Sequence, residues 1–132
     1  MNEVLEFLTT NPTFYIATID GDQARVRPFG AVVQYENKLY FGTNNAKPVF
    51  KQLIANPKIE ISTTSPKGEW IRLSGTAVMD SRHETKEVML EAVPSLKKMY
   101  SPDDDIFEVF YLTDATAIFN SFSSAEPKII QL

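Results

Sequence analysis

Apolar residues recur along this chain with a helical period in a few short segments and with a strand-like period elsewhere. Residues 2–10 carry apolar side chains at helical spacing, which predicts a short amphipathic helix that ends before Pro12. Residues 82–92 show the same spacing as far as Pro94, and a further helical turn is expected over residues 96–100. The predicted helices are therefore few and short.

Strand-length segments bounded by turn residues make up most of the remaining chain. Residues 23–35 begin with a two-residue period, and Pro28 removes a backbone donor there, which is typical of a strand edge or a bulge. The end of the chain is expected to form a hairpin around Thr113 and Asp114. The predicted strands are residues 14–19, 23–35, 39–42, 58–64, 69–79, 106–112 and 115–122.

These strands predict a mainly β fold, because most of the connections between them are short enough to be antiparallel. The expected architecture is a small closed or partly split barrel with helical decorations. A parallel doubly wound sheet would need regular alternation of strands and helices, which this pattern lacks. At 132 residues the chain fits one domain that buries a core without disulfides.

One segment of the pattern suggests a binding site. A strand over residues 39–42 is followed by a polar turn and a helix over residues 47–55, which ends before Pro57. A helix N-terminus offers free backbone N–H groups and a positive dipole, so this junction is a favourable seat for a phosphate. Thr43 and Asn44 are also common N-cap types, and capping is their alternative role. The polar residues of the turn are Thr43, Asn44, Asn45 and Lys47.

Composition and charge narrow the functional classes. The chain contains no cysteine, which excludes thiol catalysis, thiolate metal sites and structural disulfides. A net charge of −4 disfavours non-specific binding to nucleic acid. Residues 1–10 lack the features of a signal peptide, and no run approaches the roughly 18 apolar residues of a membrane span. We therefore expect a cytoplasmic protein.

Three segments of the chain, taken together in their order and spacing, identify a family more specifically than any one of them does alone. They are FYIATIDGDQARVRPFG (14–30), KLYFGTNNAKPVFKQLIANPKIEIS (38–62) and WIRLSGTAVMD (70–80). Together they resemble the FMN-binding split-barrel family of pyridoxamine 5′-phosphate oxidase-like proteins, and the chain length is closer to its small nitroimidazole-resistance-type subgroup. The resemblance implies a six-stranded antiparallel split β-barrel with Greek-key connections and peripheral helices. It also implies one FMN-binding domain over residues 1–132 and a homodimer that holds the flavin between its subunits.

The resemblance further implies which residues contact the cofactor. The strand from Arg25 to Phe29 would run along the flavin, with its arginines toward the phosphate or ribityl end. The next strand end and the helix after it would hold phosphate and ribityl oxygens, while the strand starting near Trp70 would contribute from the second subunit. Residues 119–122 are expected to close the pocket. The implied cofactor-binding residues are Arg25, Arg27, Pro28, Phe29, Phe41, Thr43, Asn44, Lys47, Lys51, Trp70 and Arg72.

The residue types fit these roles on physical grounds. A phosphate monoester carries roughly two negative charges, so a protein of net charge −4 must gather cations locally to hold it. Lys47 lies at a helix N-terminus, where the dipole disfavours a cation unless an anion is nearby. Surface ion pairs are the alternative role for the arginines, and packing is the alternative for Trp70 and Arg72. The candidate cations are Arg25, Arg27, Lys47 and Lys51.

The resemblance implies an FMN-dependent oxidoreductase that passes electrons from a nicotinamide cofactor to a nitroaromatic or quinone-like acceptor. No residue is assigned a catalytic or metal-binding role, and the single histidine, His83, is expected at the surface. The alternatives are a non-enzymatic FMN-binding or electron-transfer protein and, on the same barrel, a haem or deazaflavin binder. Pyridoxamine phosphate oxidation is not expected, since no counterpart of the oxidase's C-terminal substrate-binding extension follows Phe122.

Overall fold

The computed structural model describes residues 1–123 and 126–132. The helices are α1 (Asn2–Thr10), α2 (Pro48–Ala55), α3 (His83–Ala92) and a 3₁₀ helix (Pro94–Lys98). The strands are β1 (Phe14–Asp20), β2 (Gln23–Phe29), β3 (Val32–Tyr35), β4 (Lys38–Asn44), β5 (Lys58–Thr64), β6 (Glu69–Met79), β7 (Phe107–Ser121) and β8 (Lys128–Gln131). No helix among the described residues is both long and apolar enough to cross a membrane.

The strands form one antiparallel sheet that curls on itself. Their order is β2-β1-β5-β6-β7-β4-β3, and β8 pairs with β7 outside this path. β2 and β3 lie at opposite ends of the path, yet only Gly30 and Ala31 separate them in the sequence. Three Cα–Cα steps span at most about 11 Å, so the two ends of the sheet must come together. This is the predicted mainly β, antiparallel split barrel with peripheral helices.

The inner face of the sheet forms the main core. Directly paired residues of an antiparallel sheet point to the same face, and Ile16, Ile61, Leu73 and Ala117 form one such row across four strands. All four side chains are fully buried. The two helices that close this core contribute Val4 and Leu8 from α1 and Val49 and Leu53 from α2.

Two predicted segments are wrong, and both errors concern where a strand ends. Residues 23–35 form two strands rather than one, because the corner at Gly30 carries the chain from one end of the sheet to the other. The predicted C-terminal hairpin is instead the continuous strand β7. Asp114 has φ of 51° inside it, and the register against β6 shifts there, so Asp114 and Ala115 form a bulge opposite Gly75. With β8, the sheet has eight strands rather than six.

A second apolar cluster holds α3 and the 3₁₀ helix against β4 and β7. Gly42 permits this packing, since a Cβ there would lie 3.2 Å from the Phe107 ring. The buried members of this cluster are Ala31, Tyr40, Met89, Leu90, Phe107 and Val109. The cluster places the 3₁₀ helix beside the end of β4, which is the strand end that the sequence indicates as a binding site.

A polar network pins the start of α3 to the hairpin between β3 and β4. The Tyr40 hydroxyl donates to Asp80 Oδ2 at 2.8 Å, and Arg82 donates to both oxygens of Asp80 and to Glu36. Burial together with the bond to Asp80 raises the pKa of Tyr40 to about 12. The hydrogen bonds from Arg82 lower the pKa of Asp80. The network therefore fixes the helical segment that follows it.

Candidate functional site

Two adjoining cavities lie where β2, the end of β4 and α2 meet. The first, which we call the cation pocket, has a volume of about 500 Å³ and includes Arg25, Arg27, Lys47 and Gln52 in its lining. The second, the aromatic cavity, has a volume of about 270 Å³. Lys47 lines both cavities, and we call the two together the groove. Residues lining the aromatic cavity include Pro28, Phe29, Gly42, Thr43, Tyr100 and Phe107.

Arg27 is held rigidly in the cation pocket. Its strand pairs with β1 so that Arg27 lies opposite Ile16, on the inner face of the sheet. One guanidinium nitrogen donates to Thr18 Oγ1 at 2.7 Å and to the Ile16 carbonyl at 3.3 Å. The other donates to Gln52 Oε1 at 2.5 Å, and Thr18 also donates to this oxygen at 2.6 Å. The guanidinium is therefore fixed against α2 by neutral partners.

The cation pocket carries positive charge that the one carboxylate in its described lining, Asp20, does not neutralise. Within the described residues, Arg27 and Lys47 form no ion pair. Burial and the neighbouring charge of Arg25 lower the pKa of Arg27, and Asp20 partly opposes this shift. Asp20 is instead paired with Arg25 at 3.1 Å on the protein surface. A bound anion would relieve the repulsion between Arg25 and Arg27.

The junction between β4 and α2 differs in detail from the predicted turn. Thr43 and Asn44 are the last residues of β4, and Lys47 occupies the N-cap position of α2. Neither Thr43 nor Asn44 is an N-cap, so that alternative is excluded. Asn44 Oδ1 instead accepts a hydrogen bond from the Ala46 backbone N–H at 3.0 Å.

The aromatic cavity combines flat apolar walls with hydroxyl groups. Thr43 is only 3% exposed, and its Oγ1 has no hydrogen-bond partner among the described residues. Buried hydroxyl groups are rarely left unpaired, which indicates a missing partner at this position. The Tyr100 ring stacks on Phe107 with 4.8 Å between centroids, and Phe29 packs edge-on against Phe110. The cavity is suited to a flat ring with polar atoms at its edge.

The structure brings together six of the eleven predicted cofactor residues as lining of this groove: Arg25, Arg27, Pro28, Phe29, Thr43 and Lys47. Asn44 lies beside them and bonds to Tyr100. Lys51 lines a neighbouring depression with Asp20 and Gly21 instead. The Phe41 side chain is fully buried in the main core, stacked on Phe110, and is not available to a ligand.

Trp70 and Arg72 lie on the opposite face of the sheet. Arg72 is paired with Ser62, which is paired with Tyr15, and this row is the outward one next to Ile16. The Arg72 guanidinium lies 5.3 Å from the Trp70 ring centroid. One subunit therefore does not bring these two residues to the groove.

The segment expected to close the pocket does not line the groove either. Phe119 packs on Phe7 of α1 with 5.4 Å between ring centroids, while Phe122 is 76% exposed and stacks on Trp70. His83 is exposed as predicted, between Glu87 Oε1 at 2.6 Å and Asp103 Oδ1 at 3.2 Å. No cluster suited to a metal ion occurs among the described residues.

Thr18, Gln52 and Tyr100 belong to the site but carry no clear signal in the sequence. Gln52 lies one helical turn after Pro48, on the α2 face that meets β1, and becomes significant only once the packing of α2 is known. Thr18 depends likewise on the register between β1 and β2. Tyr100 follows a short 3₁₀ helix whose position depends on the second apolar cluster.

Comparison with known proteins identifies the family to which this fold belongs. The pyridoxamine 5′-phosphate oxidase family matches residues 1–113. A solved NimC/NimA family protein from Clostridium acetobutylicum is 55% identical, with a TM-score of 0.96 over 100% of this chain and 92% of that chain. The chain belongs to the pyridoxamine 5′-phosphate oxidase family. The resemblance to its Nim-type subgroup is confirmed as well.

More distant members of this fold differ in what they bind. A pyridoxamine 5′-phosphate oxidase-related, FMN-binding protein from Nostoc punctiforme is 15% identical, with a TM-score of 0.69 over 94% of this chain and 81% of that chain. A haem-binding protein from Mycobacterium smegmatis is also 15% identical, with a TM-score of 0.73 over 93% of this chain and 53% of that chain. At this identity the likeness shows the fold alone. No curated protein matches the sequence.

Proposed function

We propose that this protein binds FMN in the groove, with the phosphate in the cation pocket and the flavin ring in the aromatic cavity. The observation that carries the proposal is the Arg27 guanidinium, which is fixed in the pocket that Lys47 also lines and has no carboxylate partner among the described residues. A phosphate dianion supplies the missing charge and accepts hydrogen bonds from both side chains. Lys47 lies between the two cavities, where a phosphate and a ring joined by a short chain would meet it.

The aromatic cavity supports the second half of the proposal. Its volume of about 270 Å³ suits one flat aromatic group rather than a larger ligand. Pro28 and Phe29 supply apolar surface at the end of β2, and the unpaired hydroxyl of Thr43 supplies a hydrogen bond to a polar ligand atom. Together these residues orient a ring and shield one side of it from water.

We further propose that the protein is an FMN-dependent oxidoreductase. When bound, FMN supplies hydride and electron transfer through its ring, and the protein supplies binding, orientation and electrostatics. The donor is a nicotinamide cofactor and the acceptor is a small nitroaromatic or quinone-like compound. An FMN-binding or electron-transfer protein without its own substrate is the second candidate, because the described lining of the aromatic cavity includes no carboxylate or histidine to transfer a proton.

The proposed active form is a homodimer. Trp70 and Arg72 lie on the outer face of the sheet, so they reach a groove only if a second copy presents that face. Exposed apolar side chains on the same face support this arrangement. Among them, Tyr15 is 49% exposed and Ile129 is 63% exposed.

The absorption spectrum of the purified protein with added FMN tests the proposal. We expect paired flavin bands that titrate to one FMN per subunit. An intense Soret band without flavin bands would favour the haem-binding alternative, and failure to take up FMN would overturn the proposal. Oxidation of NADPH with menadione or nitrobenzene as acceptor separates the two candidates. Loaded protein that turns over none of these would favour the electron-transfer protein.

A further inference from the structure

Tyr100 lines the aromatic cavity from the segment after the 3₁₀ helix, and two contacts fix its position. Its ring stacks on Phe107 with an interplanar angle of 19°. Its hydroxyl oxygen is 2.6 Å from Asn44 Nδ2. Asn44 is one of the residues that the sequence associates with the groove, but no role for Tyr100 follows from the proposed phosphate site.

The direction of the bond between Asn44 and Tyr100 can be assigned. Asn44 Oδ1 already accepts from the Ala46 backbone N–H at 3.0 Å, so its amide nitrogen must face Tyr100. The amide nitrogen is a donor only, and therefore the Tyr100 oxygen is the acceptor. The phenol hydrogen of Tyr100 therefore remains free to donate, and it has no hydrogen-bond acceptor among the described residues.

The hydroxyl of Thr43, which also lines the aromatic cavity, likewise has no hydrogen-bond acceptor among the described residues. Thr43 Oγ1 is buried without a partner among the described residues. The residues that line the cavity include no carboxylate, while aromatic and aliphatic side chains supply most of the wall. Two free hydroxyl donors against flat apolar walls suit an uncharged aromatic ring that carries hydrogen-bond acceptors at its edge.

We infer that the Tyr100 hydroxyl donates a hydrogen bond to the polar edge of the ring bound in the aromatic cavity, with Asn44 fixing its orientation. This inference rests on the proposed function, since FMN is the ring concerned. Tyr100 thereby recognises the ring end of the ligand, as Arg27 and Lys47 recognise the phosphate end. A hydrogen bond to the ring also changes the electronic environment of the flavin.

The test titrates purified Tyr100→Phe protein with FMN and with riboflavin, which has the same ring but no phosphate. We expect both ligands to bind about 2–12-fold more weakly than to the wild type, the range for one hydrogen bond. The absorption bands of the bound flavin should shift. Lys47→Ala should weaken binding of FMN only. Tyr111→Phe is the matched control, because Tyr111 lies in a different depression beside Lys38, and it should change neither measurement.

The outcomes separate the two proposals. Wild-type protein that binds no flavin would overturn both the proposed function and the role of Tyr100. Wild-type protein that binds FMN, together with Tyr100→Phe protein of unchanged affinity and spectrum, would overturn only the role of Tyr100. If the variant does not fold, a crystal structure of the wild type with FMN decides: the inference requires the Tyr100 oxygen within hydrogen-bond distance of a ring acceptor and fails if it faces solvent.

Discussion

Individual side chains divide the groove into a phosphate end and a ring end. Substitution of Lys47 tests the phosphate end most directly. We expect Lys47→Ala to weaken FMN binding by about 1.5–3 kcal/mol, the value of a well-formed hydrogen bond to a charged group. Arg27→Ala should have a similar effect, since Arg27 is held in the same pocket. Isothermal titration calorimetry with FMN measures both.

Lys51→Ala is the control for this prediction. Lys51 lies in α2, one helical turn after the N-cap Lys47, but it is exposed and lines the adjoining depression rather than the cation pocket. Its removal should leave FMN affinity within experimental error. Equal losses of FMN affinity in Lys47→Ala and Lys51→Ala would show that the phosphate responds to the overall positive charge near α2 rather than to a specific contact with Lys47. Unchanged affinity in both Lys47→Ala and Arg27→Ala would place the phosphate elsewhere.

Tyr40 gives a prediction about stability and pH. Its pKa is raised from 10.0 to about 12 in the folded protein, so its contribution is fully present below pH 10 and is lost as pH rises toward 12. The side chain is 1% exposed, and a shift of this size corresponds to about 2–3 kcal/mol. Chemical denaturation between pH 8 and about 12 should show the stability difference between wild type and Tyr40→Phe shrinking by that amount. A difference that is constant with pH would contradict the network.

At the residue scale, the sequence could predict which types of side chain form the site but not which way they point. Arg27 and Lys47 stand out because cations at a strand edge and at a helix N-terminus need an anion to explain them. Phe41 lies between predicted binding residues in the sequence, but its ring is buried in the main core against Phe110. Tyr100 has no local signal, since only the packing of α3 brings it to Asn44.

At the scale of elements, the two errors have one cause. A sequence pattern shows where backbone conformation changes but not whether pairing continues across the change. Thr113 and Asp114 have turn-forming character, and Asp114 does adopt a positive φ. β6 nevertheless continues alongside, so the turn signal produces a bulge in β7. At Gly30 the opposite occurs. The sequence pattern continues through Gly30, but the strand pairing changes there, since β2 pairs with β1 and β3 pairs with β4.

The bulge predicts a specific requirement at Gly75, which lies opposite it in β6. A Cβ at Gly75 would lie 3.3 Å from the Thr113 carbonyl oxygen and 3.3 Å from Ala115 Cβ. Gly75→Ala should therefore destabilise the protein by about 1–3 kcal/mol, the usual cost of overpacking, even though alanine is normally the better strand residue. Thermal unfolding measures the change. Ser74→Ala, the neighbouring outward residue, should have little effect, and an equal loss in both variants would contradict the role of the bulge.

At the scale of the whole molecule, the sheet separates its two faces by function. The inner face forms the core and, beyond Ile16, continues into the arginines of the cation pocket. The outer face carries a row from Tyr15 through Arg72 to Ile129 that no helix covers among the described residues. The alternation in the sequence separates the two faces, as in β6, where Ile71 and Leu73 are buried and Arg72 between them is exposed. The alternation does not indicate what covers the outer face of the sheet, because the hydrophobic pattern of one chain does not specify which molecule binds to that face.

A second copy of the chain is the proposed cover, and Tyr15 tests it. Tyr15 is 49% exposed and lies outside the lining of the groove, so Tyr15→Glu should leave the fold of one subunit intact. Light scattering should give about twice 14.9 kDa for the wild type and a single-chain mass for the variant, because a buried unpaired carboxylate opposes association. Ile106→Glu, a similar change at a 43% exposed residue before β7, should remain a dimer.

FMN affinity should fall with dissociation if Trp70 and Arg72 reach the flavin of the other subunit. A Tyr15→Glu monomer that binds FMN as tightly as the wild type would show that each groove is complete within one chain.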